Sequence, residues 1–226
     1  MKLSDLKPAG QLSVNYGVKA IVYGAAGSGK TPMINTAPNC VLLACEAGLL
    51  SMRGSNIPCA EGYTSEAIDD FLLWFFTSAE SKKFDTLAID SMSQLAEIIL
   101  THELKKVKDP RQAYGKLDER VMKIANDLYF AKQKNVVLLC KQALVEEGDL
   151  VRKKPYFPGQ ALNIKLPHMF DEIWHCALTP ISGQPQPVTA LRTREDYNII
   201  ARDRSGRLDQ FEPPNLAHVF AKCLAT

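Results

Sequence analysis

The chain has 226 residues, 46% of them hydrophobic and 23% charged, with a formal net charge of +2. That apolar share suits one folded domain with a substantial core and argues against a disordered chain, and the near-neutral balance means that any nucleic-acid surface must be a local patch. Six cysteines (Cys40, Cys45, Cys59, Cys140, Cys176, Cys223) lack CxxC spacing, and three lie in or beside apolar runs, the pattern of buried reduced thiols rather than of a disulfide framework or zinc site.

In chain order, Met1 to Gly17 is weakly patterned and reads as an arm or a short edge strand ahead of a single domain of residues 18–226. Its first ten residues are polar, and no apolar run nears the roughly 20 residues of a membrane span, so the expectation is a soluble cytoplasmic protein without a membrane partner. Ala20 to Tyr23 makes a buried strand that runs into Gly24, Ala25, Ala26, Gly27, Ser28, Gly29, Lys30 and Thr31. This is a complete GxxxxGK[ST] phosphate loop, which predicts nucleoside triphosphate binding. Its glycines let backbone N–H groups converge, Lys30 adds a cation for the outer phosphates, and Thr31 offers a hydroxyl to Mg²⁺. A helix is predicted to start there, its positive end toward the phosphates and Pro32 in its first turn.

Val41 to Cys45 reads as a second buried strand and 51–64 as a loop; Ile68, Phe71, Leu72, Phe75, Phe76 and Ala79 recur at helical spacing. Phe84 to Asp90 is the third strand, followed by a helix with Met92, Leu95, Ala96 and Ile99 on its inner stripe. After a break at Asp109-Pro110, a long helix carries Leu117, Val121, Ile124, Leu128 and Ala131 to the fourth strand, Val136 to Cys140. This alternation predicts an α/β fold with a mainly parallel sheet flanked by helices. Glu172 to Leu178, Val188 to Thr193 and Tyr197 to Ala201 should extend it as antiparallel strands, with Pro213 to Leu224 a closing helix.

Three further residues fall at predicted strand ends, the edge where open α/β sheets bind ligands. Asp90 ends the third strand and suits the Mg²⁺ side of the site, although a strand-terminal aspartate is otherwise a helix cap. Glu46 follows the second strand, where a carboxylate can orient and deprotonate a water attacking the γ-phosphate; the alternative is a solvated loop glutamate. Gln142, two residues past the fourth strand, can register whether that phosphate is present.

Together, the phosphate loop, ACEAG around Glu46, IDS at Asp90 and KQ at Gln142 resemble the ATPase core of RecA-like recombinases, and most closely the small phage RecA-like ATPases that promote single-strand annealing. The resemblance covers roughly residues 18–211. It implies ATP with Mg²⁺ as cofactors, Glu46 as the catalytic carboxylate, Asp90 as the metal-side acid and Gln142 as the nucleotide sensor. It implies assembly into a ring or filament, single-stranded DNA as partner and a single-strand binding protein as a possible second one. Two stretches would then meet DNA: Thr101 to Lys116, with Lys105, Lys106, Lys108, Arg111 and Tyr114, and Ala143 to Asn163, with Arg152, Lys153, Lys154, Tyr156 and Phe157. Interleaved cations and aromatics suit neutralised phosphates and stacked bases, while a charge run is otherwise a solvated face. By the same resemblance Arg202 and Arg204 would reach a neighbouring subunit's γ-phosphate, the rival being a surface basic cluster paired with Asp203 and Asp209. A nucleotide-dependent adaptor, such as a helicase loader or packaging partner, and a small-molecule kinase are the other readings.

Overall fold

The strand that enters the phosphate loop, β1 (Lys19–Gly24), is buried at every position because it has sheet on both sides and side chains packed on both faces. Its alternation divides the core: Ile21 and Tyr23 join one cluster, Ala20 and Val22 the other. The computed structural model describes residues 1–2, 5–13, 16–181 and 183–225; residues 3, 4, 14 and 15 of the expected arm lie outside them, as do 182 and 226.

The remaining elements in chain order are α1 (Ala9–Ser13), α2 (Lys30–Met33), β2 (Cys40–Ala44), β3 (Cys59–Glu61), α3 (Ser65–Thr77), β4 (Thr86–Asp90), α4 (Met92–Leu104), α5 (Pro110–Tyr129), β5 (Asn135–Glu147), β6 (Leu150–Pro155), α6 (Gln160–Met169), β7 (Glu172–Thr179), β8 (Val188–Arg192), β9 (Arg202–Asp203), β10 (Phe211–Glu212) and α7 (Leu216–Cys223). The sheet order is β10-β8-β7-β1-β5-β4-β2-β3. From β7 to β3 every neighbouring pair is parallel, and β8, β9 and β10 add antiparallel edges, so the expected architecture holds. Helices α3 to α6 cover the face that carries Ile21, Leu87 and Leu138, while α7 packs on the face that carries Ala20, Ala88 and Val137.

Several elements depart from expectation. Residues Ala9–Ser13 form a short helix, α1, with no buried residue, rather than the edge strand that was the alternative to an arm. The helix after the phosphate loop has only four residues before a 3-10 turn over Ile34–Thr36, so little macrodipole stands behind the loop. The predicted loop 51–64 contains β3, paired with β2 at the sheet edge. The fourth strand runs on to Glu147 and folds back as a β5–β6 hairpin through Gly148, whose φ of 63° suits a residue without Cβ. Tyr197 to Ala201 is not a strand: the pairing starts at Arg202, and Ile199 makes only isolated bridges.

Candidate functional site

The glycines of the phosphate loop are there for different reasons. A Cβ on Gly24 would stand 2.2 Å from the carbonyl oxygen of Cys176 on β7, so this position tolerates no side chain. Gly29 has φ +91°, left-handed backbone that favours glycine, and turns the chain into α2. Between them Ala25, Ala26 and Gly27 are exposed, leaving the concave loop open to solvent.

Lys30 folds back over this loop, its Nζ donating to Gly24 O (2.8 Å), Ala25 O (2.9 Å) and Ser28 Oγ (3.3 Å). Burial lowers the pKa of its ammonium, against a pull upward from neighbouring groups that include Asp90 and Glu46. Thr31 Oγ1 donates to Asp90 Oδ2 at 2.7 Å, so the two residues expected around Mg²⁺ face each other directly. The Asp90 carboxyl is raised by burial, a shift opposed by the Thr31 hydrogen bond and Lys30 and reinforced by Glu46.

Glu46 reaches the same place because β2 and β4 are parallel neighbours, with Ala44 opposite Asp90 in register. The backbone N–H groups of Cys45 and Glu46 both donate to Asp90 O, at 2.7 and 3.3 Å, and Ser91 Oγ donates to Glu46 Oε1. Ser91 also caps α4, accepting from Gln94 N at 3.1 Å. One serine therefore orients the carboxylate and starts the helix behind it.

Gln142 lies within β5 rather than beyond its end, and its Oε1 is 2.9 Å from His175 Nε2 on β7. Beside it, Lys141 Nζ donates to Gln94 Oε1 (2.7 Å) and Glu97 Oε2 (2.9 Å). Ser91, Lys141 and His175 were missed as site residues by sequence reasoning. Ser91 stands in the IDS motif, and a histidine inside the apolar run Glu172 to Leu178 is a signal that could have found His175.

The other expected residues are placed less centrally. Lys105, Lys106, Lys108 and Arg111 are exposed around the α4–α5 turn, with Lys106 paired to Glu103 at 3.4 Å. Arg152 meets Glu195 and Glu147, and Lys154 meets Glu147, so two of the three hairpin cations are already paired. Phe157 is a correction: at 1% exposure it belongs to the core and has no ring face to offer a base. Tyr156 and Tyr114, from the two separate stretches, line one cleft of about 850 Å³ with Glu97 and Asp118.

Arg202 and Arg204 sit at the opposite, amino edge of the sheet, where Ile173 pairs with Arg202 and Glu172 with Ala20. The Arg202 guanidinium donates to Pro167 O and Phe170 O, and Arg204 Nη1 meets Asp171 Oδ1 at 2.5 Å. Each is engaged by groups of this same chain, and neither projects from a strand formed by Tyr197 to Ala201.

The residues around the loop fit a triphosphate with its metal: a loop exposed at Ala25 to Gly27, a lysine folded over it, and a hydroxyl facing a carboxylate. Mg²⁺ is commonly held by one or two protein oxygens and the phosphates themselves, which Thr31 and Asp90 can supply.

A phosphate loop leaving β1, where the sheet order reverses, with the aspartate strand β4 separated from it by β5, makes this a RecA-like phosphate-loop NTPase. Residues 16–205 match AAA_24, described as an AAA domain, and the chain belongs to that family. Among solved structures it is similar to the RadB recombinase, at 14% identity over 81% of this chain and 84% of that one, with a TM-score of 0.50. It is also similar to a KaiC-like protein from the hyperthermophilic archaeon Pyrococcus horikoshii, at 13% identity over 78% of each chain, with a TM-score of 0.41. At such identities the likeness to RadB is one of fold. No curated protein matches the chain. Among the described residues, no helix is long and apolar enough to cross a membrane.

Proposed function

We propose that the chain, as one ATPase domain of residues 18–226 with an arm over 1–17, binds Mg-ATP and hydrolyses it in a cycle linked to single-stranded DNA, in recombination, annealing or repair. The observation that carries the hydrolytic part is the pair of contacts at one sheet edge, Thr31 to Asp90 and Ser91 to Glu46. Ser91 holds one oxygen of the Glu46 carboxylate, leaving the other to accept a proton from a water aligned on the γ-phosphate. Lys30 leaves its carbonyl partners to neutralise the phosphates, and Thr31 with Asp90 holds the metal side. Bound Mg²⁺ would offset charge that develops on the phosphate oxygens. Gln142 reports the γ-phosphate to the hairpin that begins at its own strand.

For DNA, the hairpin with Arg152, Lys153, Lys154 and Tyr156, and the turn with Lys105, Lys106, Lys108 and Arg111, offer cations for phosphates. The cleft shared by Tyr114 and Tyr156 offers ring faces, at about 1–3 kcal/mol per stacked base. A ring or filament would let arginines act in trans; Arg204, exposed and held by one ion pair, needs less rearrangement for that than Arg202.

The test is steady-state phosphate release with and without a single-stranded oligonucleotide. Wild type should turn over ATP and be stimulated by DNA, Lys30→Ala should lose nucleotide binding, and Glu46→Gln should bind ATP but turn over about 10²- to 10⁴-fold more slowly. A Glu46→Gln variant with wild-type turnover removes the carboxylate from the mechanism; stimulation by a protein partner and not by DNA favours the adaptor.

A further inference from the structure

Between the phosphate edge and the hairpin lies a buried pair of rings that the proposed cycle has not used. His175 on β7 is 4% exposed and stands opposite Tyr23 on β1, the residue just before Gly24. Their ring centroids are 5.0 Å apart. His175 Nε2 is 2.9 Å from Gln142 Oε1. Tyr23 Oη is 2.9 Å from Lys153 O, in β6 of the hairpin, and 2.7 Å from Ile200 O. An amide oxygen can only accept, so Nε2 carries the proton. A neutral imidazole has one N–H, and this contact selects where it sits. Burial and the charges of Lys153, Arg192 and Lys30 keep the ring neutral, depressing its pKa to about 4. Burial also raises the Tyr23 phenol, which stays protonated as a donor to the two carbonyls.

We infer that His175 is a positioning residue: by holding the Gln142 amide oxygen it turns the amide nitrogen toward the phosphate edge, and through Tyr23 it ties that setting to the backbone of the hairpin. The inference rests on Gln142 reading the γ-phosphate. When the amide turns to a newly arrived phosphate, the His175 contact loosens, the ring shifts against Tyr23, and the carbonyls of Lys153 and Ile200 lose their shared donor. A change of one phosphate thereby alters how firmly β6 is held, with no direct contact between nucleotide and β6.

The experiment is hydrogen–deuterium exchange of the full chain over Gln142–Pro155, with ADP and with ATPγS, beside direct affinity measurements for both nucleotides. Wild type should show different hairpin exchange in the two states. His175→Phe, which keeps a buried ring but offers no N–H, should bind both nucleotides with wild-type affinity while that difference shrinks about fivefold or more. Tyr23→Phe should uncouple the hairpin in the same way, and His175→Gln, which keeps a donor, should restore part of the difference. A purely structural role would raise exchange equally in both states. A nucleotide-dependent difference that survives in both phenylalanine variants overturns the inference, as does a wild type that binds both nucleotides without any hairpin response. A wild type that binds neither nucleotide defeats the nucleotide reading itself, and the relay with it.

Discussion

The phosphate edge and the β5–β6 hairpin both begin at the carboxyl ends of central strands, yet they are held by different forces. At the phosphate edge, Gly24, Glu46 and Asp90 hang on parallel strands buried on both faces, and short polar contacts lock them to one another. The hairpin rests on one antiparallel ladder and a few bonds from Tyr23 and the 198–200 segment to Lys153, exposes Leu144, Val145 and Val151, and ties Arg152 and Lys154 into ion pairs with Glu147 and Glu195. Positions set by a packed core cannot drift without opening cavities, whereas surface ion pairs contribute little and exchange readily. The first region suits chemistry that needs fixed geometry. The second suits a surface that must rearrange around a polymer.

The largest effect should come from violating the packing of the first region. In Gly24→Val the new side chain has the Cys176 carbonyl oxygen 2.2 Å and Ser28 Oγ 2.7 Å from its Cβ position. Nucleotide binding should be lost and the fold destabilised by about 3 kcal/mol or more. Chemical denaturation beside nucleotide titration reads both, and a variant that still binds ATP would show the edge to be softer than its packing implies.

A smaller effect lies on the ring pair that joins the two regions. The pKa of His175 is depressed from its ordinary 6.5 to about 4, so on acidification the unfolded chain takes up the proton first. Its stability contribution is therefore present above pH 6.5 and lost as pH falls toward 4, amounting to about 3 kcal/mol at most. Glu172, at the amino edge, acts in the opposite sense: burial raises its carboxyl to about 7, so its contribution is present below about 4.5 and lost as pH rises through 7. The comparison must therefore be made with His175→Gln rather than on one curve. Between pH 7 and 4.5 the wild type should lose more urea resistance than the variant, and parallel losses would contradict the assignment.

The smallest change in stability is expected in the hairpin. Glu147→Gln frees Lys154 and weakens the hold on Arg152, and the carboxylate removed is an exposed one, so the melting temperature should stay where it is. Removing one negative charge beside these cations should strengthen oligonucleotide binding by about threefold at low salt, the gain fading as salt rises. Fluorescence anisotropy at two ionic strengths checks this, and unchanged binding would remove the hairpin from the DNA surface.

What sequence reading saw and missed follows from how far each signal reaches along the chain. The hairpin was hidden because Lys141 and Gln142 interrupt the apolar run of β5, and beyond them neither face of the ladder is fully buried. The Gly148-Asp149 pair between Val145 and Leu150 was a usable turn signal. Phe157 looked like an aromatic in a polar loop, but it packs into the helical face of the core that α6 helps to close. Tyr197 to Ala201 alternates like a strand; instead the segment lies along β6, where Ile200 N donates to Lys153 O at 3.1 Å.

The phosphate loop, the parallel sheet and the strand-end acids were legible from residue order alone, because each depends on neighbours a few positions apart: glycine spacing, an apolar run, an acid at its end. The bond from Ser91 to Glu46, the meeting of Tyr114 with Tyr156, the confinement of Arg202 and Arg204 to the amino edge, and the His175 bridge from Gln142 to Tyr23 were decided only in three dimensions. Each depends on which strand or helix lies beside which, and strand order and helix packing come from burying the whole core at once, which no short window of sequence encodes.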